Sequence, residues 1–266
     1  MMKELTIGQY YAVDSPVHFL DPRTKLMTTL VYVFLLFMVK KPLWYIPIFL
    51  TLLLLYHFAK IPFGYFLRGL RGILLLLFFT FAMRLLCTPG TEVARFWIFA
   101  ITEQGIEKAI RLTARIALMI TGASLLSYTT TPRSLADGME KGLSFLEKFG
   151  VPIHSMAVIV MIAFRFIPVL TEETHILMEA QKARGAEFEN CSIWKKCKNI
   201  CMMLFPLFLS SIRRSTDLAM AMEARGYREN HPTTRMNPLV YKKADKIAYA
   251  LMFTYAVVIL VLMYAL

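Results

Sequence analysis

Five apolar runs alternate with polar segments along the chain, at residues 26–39, 43–59, 72–87, 109–128 and 247–265. A helix needs about 20 mainly apolar residues to cross the hydrocarbon core of a bilayer. The first two runs are shorter than this, so flanking residues would have to complete their crossings. We therefore predict an all-α integral membrane protein with about five transmembrane helices.

A different pattern occupies residues 130–246, which hold about half of the charged residues of the chain. Ile200, Met203 and Leu204 follow the spacing of a helix with one apolar face. Three helices are predicted in this region, over about 132–150, 154–184 and 193–225. Thr131 is the expected N-cap of the first, because it immediately precedes a proline in the first helical position.

Two prolines lie inside the second and third of these helices. Pro168 and Pro206 each lack a backbone donor, and we expect each to kink its helix. The surrounding pieces, 155–170 and 199–212, are apolar enough that either could enter the bilayer.

Composition and charge support the membrane assignment, since 57% of the residues are hydrophobic and the mean hydropathy is +0.54. The net charge of +12 could suggest a nucleic-acid partner. In membrane proteins, however, Lys and Arg gather in cytoplasmic loops and beside anionic headgroups. We therefore expect the lipid bilayer, and no nucleic acid, as a partner.

The positive charges also predict a topology for a multi-pass protein of the cell membrane, with the C-terminus outside and the N-terminus and residues 130–246 in the cytoplasm. The predicted domains are a four-span membrane domain, a cytoplasmic and interfacial domain, and a C-terminal transmembrane helix, at 1–129, 130–246 and 247–266.

The tripeptide Ala-Arg-Gly occurs twice, as Ala183-Arg184-Gly185 and as Ala224-Arg225-Gly226, each at the end of a predicted helix. Glycine just after a helix and a cation in its last turn are ordinary features of a helix C-terminus. The repetition, with an alanine three residues before each copy, indicates two similar helix tips. Small residues permit close approach, and arginine can pair with a carboxylate through two N–H groups. The tips therefore suit docking onto two similar partners.

Four stretches together carry a resemblance to a known family: "HFLDPRTKL", "TTTPRSLADGMEKGL", "FRFIPVLTEETHILMEAQKARGAEF" and "PLFLSSIRRSTDLAMAMEARGYR". They resemble the transmembrane (T) component of energy-coupling factor (ECF) transporters, the EcfT/CbiQ family, over essentially the whole chain. The resemblance implies a non-catalytic subunit of an ATP-driven importer of vitamins or other micronutrients. Partner ATPases would bind the ATP, so no cofactor or metal is expected on this chain.

The resemblance also implies that residues 130–246 form long cytoplasmic coupling helices. Ala183, Arg184 and Gly185 would dock one ABC-type ATPase, and Ala224, Arg225 and Gly226 would dock the other. The apolar helix faces would hold a separate substrate-binding S component. The sequence contains no G-x-x-x-x-G-K-[ST] phosphate-binding loop, which agrees with this division of labour.

The family resemblance includes an N-terminal motif made of Asp21, Pro22, Arg23 and Lys25. Its simplest interpretation is a helix start, with Asp21 before the proline and with Arg23 and Lys25 as anchors at the inner headgroup level. Contact with a partner subunit is the alternative.

Two other functions are less favoured by the sequence. A self-sufficient secondary transporter or channel needs polar residues along a route, and Arg84, Arg111 and Arg115 lie near or within the predicted spans without an acidic partner there. A membrane-embedded lipid phosphotransferase needs paired carboxylates to hold metal ions, and Asp137 and Asp217 lack a second pair.

Metal binding is not predicted from the remaining ligand-type residues. Cys191, Cys197 and Cys201 match no common zinc spacing. Glu172, Glu173 and His175 do not form H-E-x-x-H and are expected on a solvated helix face.

Overall fold

The computed structural model describes residues 10–39, 41–89, 91–96, 99–187, 192–228 and 239–265. The α-helices of this part are α1 (Pro22–Met38), α2 (Tyr45–Phe58), α3 (Phe63–Arg71), α4 (Leu74–Cys87), α5 (Glu103–Thr129), α6 (Pro132–Leu143), α7 (Ile153–Ala183), α8 (Ile193–Ala224) and α9 (Lys243–Ala265). Short strands β1 (Glu92–Phe96) and β2 (Phe99–Thr102) form an antiparallel hairpin between α4 and α5. The predicted all-α class is confirmed, with this hairpin as a small addition.

The chain folds into two compact units. The first contains Met1–Gly142 and Leu239–Leu266, and the second contains Leu143–Pro238. The sequence-based domain limits fall elsewhere, at 129/130 and 246/247. The difference has two causes. Helix α6 packs on the start of α1, and the start of α9 hydrogen-bonds to the start of α1, so α6 and α9 both belong to the first unit.

In the described part of the chain, three helices are long and apolar enough to cross a membrane, and they lie at Glu103–Thr129, Ile153–Ala183 and Lys243–Met263. A fourth candidate results if the bent pair α3 and α4 is one span. The last two predicted runs therefore coincide with α5 and α9, and the third lies in the bent pair. The first two runs correspond to α1 and to the shorter apolar helix Pro42–Phe58.

The second unit also contributes a candidate span, because α7 meets the same criterion of length and hydropathy. This finding agrees with the expectation that the piece 155–170 could enter the bilayer. Among the described residues α8 does not meet the criterion, so the corresponding expectation for 199–212 gains no support.

Buried tyrosines tie the helices of the first unit to α5. The hydroxyl of Tyr32 donates to the carbonyl of Leu118 at 3.1 Å, and that of Tyr56 donates to the carbonyl of Thr121 at 2.9 Å. A buried hydroxyl without a partner would destabilise the fold. These bonds therefore allow α1 and α2 to bury large aromatic rings against α5.

Arg115 in the middle of α5 completes the C-terminus of α1. Its guanidinium donates to the carbonyl of Val39 at 2.8 Å and to the hydroxyl of Tyr45 at 3.1 Å. The last carbonyls of a helix lack partners within the helix. Arg115, which lies within a candidate membrane span, thus has a structural role.

Helix α6 begins as predicted, because the Thr131 hydroxyl accepts a hydrogen bond from the Ser134 N–H at 3.2 Å. The helix ends at Leu143, and a 3-10 helix, Ser144–Phe149, continues to Gly150. Gly150 has φ +83°, which ends the stretch where the sequence predicts.

Pro168 and Pro206 both lie inside continuous helices, α7 and α8. Because proline has no N–H, the carbonyls of Phe164 and Met202 lose their usual helical donors. The expected kinks stay predictions. An ion pair between Arg214 and Glu173, 3.0 Å apart, joins α8 to α7 within the second unit.

Candidate docking site

The end of α7 forms a regular Schellman motif. Gly185 has φ +86°, its N–H donates to the carbonyl of Lys182 at 3.0 Å, and the Ala186 N–H donates to the carbonyl of Gln181 at 3.0 Å. This pair of bonds satisfies carbonyls that would otherwise be orphaned at the helix end. The chain therefore turns away immediately after Arg184.

The end of α8 repeats this geometry. Gly226 has φ +76°, its N–H donates to the carbonyl of Glu223 at 2.9 Å, and the Tyr227 N–H donates to the carbonyl of Met222 at 3.0 Å. The backbone angles before each glycine also agree: φ −84° and ψ 8° at Arg184, and φ −87° and ψ 4° at Arg225. The repeated tripeptide thus has a repeated conformation.

Both arginines are exposed at these two tips, and so are Ala183 and Ala224, the last residues of the two helices. Within the described part of the chain, no ion pair or hydrogen bond occupies either guanidinium. Each tip therefore presents a planar cation with five N–H donors and small neighbours. This arrangement can bind a carboxylate, and it offers no group for catalysis.

The two tips differ just beyond the glycine. Ala186 follows the first tip. Tyr227 follows the second tip, and its N–H donates to the carbonyl of Met222. A hydrophobic contact between these two positions often accompanies a Schellman motif. The second tip therefore offers a larger apolar surface beside its arginine, and the two tips are similar without being identical.

The N-terminal motif lies in the first unit, where Asp21 is the N-cap of α1. Its carboxylate accepts a hydrogen bond from the Arg23 N–H at 2.9 Å, and Pro22 takes the first helical position. The Asp21 N–H donates to Oδ1 of Asp245 at 2.8 Å. The other carboxylate oxygen of Asp245 accepts from the Lys242 N–H at 2.8 Å, so one buried side chain joins the starts of α1 and α9.

Arg23 extends this junction toward the segment that precedes α9. Its Nη2 donates to the carbonyl of Leu239 at 2.9 Å, and its guanidinium lies 4.5 Å from the ring centroid of Tyr241. Its Nε lies 3.3 Å from the Asp21 carboxylate. A cation over an aromatic face and beside a carboxylate is stabilised by both.

Lys25 is only 6% exposed, so it is not the headgroup-facing anchor expected from the sequence. Its ammonium donates to the carbonyls of His18 and Thr129 at 3.0 and 2.9 Å. Thr129 is the last residue of α5, where a cation meets the negative end of the helix dipole. The carboxylates of Asp245 and Asp21 also interact electrostatically with this ammonium.

His18 lies beside this junction, and both of its ring nitrogens are within hydrogen-bond distance of a partner. Burial, and then the positive charge of Lys25, lower the pKa of His18 below its usual value. Its Nε2 lies 3.0 Å from the Tyr11 carbonyl, which can only accept, so Nε2 carries the hydrogen. Nδ1 then accepts from the Ser15 hydroxyl at 2.7 Å.

The structure therefore separates the predicted site residues into two groups. The two Ala-Arg-Gly tips belong to the second unit, and the N-terminal motif is a buried junction in the first. Sequence reasoning does not single out Asp245, because its partner Asp21 is 224 positions away. The only local signal is an acidic residue in the first turn of α9. Of the cysteines, Cys191 lies outside the described residues, while Cys197 and Cys201 are exposed free thiols.

Comparison with known proteins identifies relatives over nearly the whole chain. A family model described as a cobalt transport protein, CbiQ, matches residues 14–236. Three relatives are each named energy-coupling factor transporter transmembrane protein EcfT. The one from Acidaminococcus fermentans is 40% identical and covers 93% of this chain and 92% of its own length. The relative from Heliobacterium modesticaldum is 41% identical over 92% of both chains. The relative from Clostridium kluyveri is 42% identical over 93% of both. This chain therefore belongs to the CbiQ/EcfT family, the transmembrane proteins of energy-coupling factor transporters.

Proposed function

We propose that this protein is the coupling subunit of an ATP-driven ECF importer of a vitamin or another micronutrient, and that its two tips each dock one ABC-type ATPase. The observation that carries the proposal is the duplicated helix end, in which an exposed arginine precedes a glycine with positive φ. Two similar tips on one chain suit a pair of similar partners. The names of the relatives support membership of such a transporter.

The chemistry of docking follows from the tip geometry. An unpaired guanidinium can enter a groove and form a bidentate pair with a carboxylate, while the small neighbours permit close contact. The ATPases would bind and hydrolyse ATP, and this chain would bind no nucleotide or metal itself. Its contribution would be mechanical, because α7 and α8 are continuous helices of 31 and 32 residues that end at the tips.

We further propose that the apolar surfaces of the second unit hold the S component that binds the substrate. An apolar cleft of about 390 Å³ lies between α7 and α8, with Ile162, Phe166 and Leu218 among its lining residues. Phe205 and Phe208 on α8 are 66% and 62% exposed. Apolar patches of this kind mark protein or membrane contacts.

The proposed topology places the N-terminus and the tips in the cytoplasm and the C-terminus outside the cell membrane. The ATPases act where ATP is available, and the positive-inside tendency supports the same orientation.

Charge reversal at the tips tests the docking proposal. Arg184→Glu or Arg225→Glu should weaken ATPase binding by about 2 kcal/mol or more, roughly 30-fold, because a carboxylate would face a carboxylate. The double variant should lose more. Co-purification of the ATPases with the tagged chain, with substrate uptake measured in parallel, provides the readout.

Arg213→Glu is the matched control, since Arg213 is an exposed arginine on α8 away from the tip. It makes the same change of charge and should leave ATPase binding intact. Normal ATPase recovery and normal uptake with the Arg184→Glu/Arg225→Glu double variant would show that the arginines are not the docking residues.

A further inference from the structure

We propose that Asp21, Arg23, Lys25 and Asp245 form an anchor cluster that positions both chain connections of the second unit and is needed for coupling. The inference rests on the proposed function, because motion of the tips can act on the S component only if the second unit, which would carry both, is held to the first unit. The four side chains bring two carboxylates and two cations into one junction. Their shared feature is contact with the segments through which the chain leaves the first unit and returns to it.

The outgoing connection runs from α5 through α6 to Leu143, where the second unit begins. Lys25 holds the carbonyl of Thr129 at the end of α5. A Cβ added to Gly138 in α6 would lie 2.9 Å from Cβ of Pro22 and 3.3 Å from the backbone nitrogen of Arg23. Because α6 lies this close to the start of α1, the outgoing connection begins from a fixed position.

The returning connection enters the first unit at Leu239. Arg23 binds the carbonyl of that residue at 2.9 Å and also lies over the ring of Tyr241. Asp245 then accepts hydrogen bonds from the backbone N–H groups of both Lys242 and Asp21. The returning chain is therefore held at its first residue and again at the start of α9.

Because its members are buried together, the anchor cluster is expected to respond to a substitution as a unit. Asp245, Lys25 and Asp21 are 1%, 6% and 7% exposed, respectively. Charges away from water interact strongly, and removal of one member leaves its partner buried without compensation. The loss of any member should therefore loosen both connections together.

The position of the cluster assigns it a part in coupling. Force on the second unit can reach α1, α5 and α9 along the chain only through these two connections. Loosening them should leave the tips able to bind ATPases, while the second unit yields as a whole and less of the motion reaches the S component. Substitution of a residue needed only for docking would instead reduce ATPase binding.

Substitution of Arg23 tests the anchor in the full complex of this chain with its ATPases and S component. Arg23→Gln removes the guanidinium and with it the side-chain contacts to Leu239, Tyr241 and the Asp21 carboxylate. ATPase co-purification and ATP hydrolysis should persist, while substrate uptake per ATP hydrolysed should fall about fivefold or more. Tyr241→Leu removes the ring beneath the guanidinium, together with its edge contact to Tyr249, and uptake per ATP should fall about twofold. This milder change decides the question if Arg23→Gln does not fold.

Arg133→Gln is the control, because Arg133 is exposed on α6 and the substitution removes the same charge. Its uptake per ATP should match that of the unaltered chain. Unchanged uptake per ATP in both anchor variants would overturn the inference, and so would loss of ATPase binding from variants recovered in normal amounts. Failure of the proposed function would be seen separately, as absence of the ATPases from the unaltered chain, and would overturn both.

Discussion

Gly185 and Gly226 set the direction of the chain after Arg184 and Arg225 through their backbone angles. Their φ values are +86° and +76°, and an added Cβ at either would meet nothing within 4 Å. Space is therefore not the reason for glycine here. Glycine is required because the left-handed backbone conformation is unfavourable for residues with a side chain.

Gly226→Ala should consequently strain the second tip by about 1 to 2 kcal/mol and misplace Arg225. Gly226→Asn should be milder, because asparagine adopts this conformation more readily. Binding of the ATPases to purified chain measures the difference. Equal loss from both substitutions would mean that the backbone conformation is not what the site requires.

The two tips were predictable from the sequence at the level of single residues, whereas the role of Asp245 was not. The tips were predictable because helix termination by glycine is a local signal, and the predicted ends, 184 and 225, are each one residue from the observed ends. The bond from the Asp21 N–H to Asp245 joins opposite ends of the chain. No local pattern identifies such a partner.

Packing of α1 on α5 depends on the absence of a side chain at Gly122. A Cβ there would lie 2.4 Å from Cε1 of Tyr32, whose hydroxyl is fixed by its bond to Leu118. The buried ring has little freedom to move aside. This close approach brings two helices of the first unit together.

Gly122→Ala should therefore destabilise the protein by about 1 to 3 kcal/mol through overpacking. Gly142→Ala is the matched control, because Gly142 also lies in a helix and its added Cβ would meet nothing within 4 Å. Thermal unfolding of the detergent-solubilised chain compares the two. A similar melting temperature for both variants would contradict the packing described between α1 and α5.

Arg115 holds helical segments of the first unit together, which favours a structural role over a place on a transport route. Its guanidinium joins α5 to the end of α1 and to Tyr45. Arg115→Gln should lower stability, because the Val39 carbonyl would lose a charged donor, by about 1.5 to 3 kcal/mol. Transport by the purified chain alone, abolished by Arg115→Gln without loss of stability, would instead favour a carrier.

The whole molecule divides its tasks between two compact units. The first contains the tyrosine-rich core and the buried junction of α1 and α9, and the second contains both tips. The sequence predicted the helical membrane class, because apolar runs and charge segregation are properties of composition. The sequence-based domain limits grouped α6 and the start of α9 with residues 130–246. The contacts that bind these two segments to the first unit are long-range, and a local pattern does not show them.

Each Ala-Arg-Gly tip is proposed to contact an ATPase, and site-specific photo-cross-linking tests this contact most directly. A photoreactive amino acid placed at Ala186 or at Tyr227 lies just beyond each glycine, and one placed at Ser134 in α6 serves as the control. We predict a covalent adduct with an ATPase subunit from positions 186 and 227 and none from position 134. Absence of an ATPase adduct from both tip positions, in a complex that contains the ATPases, would contradict the account.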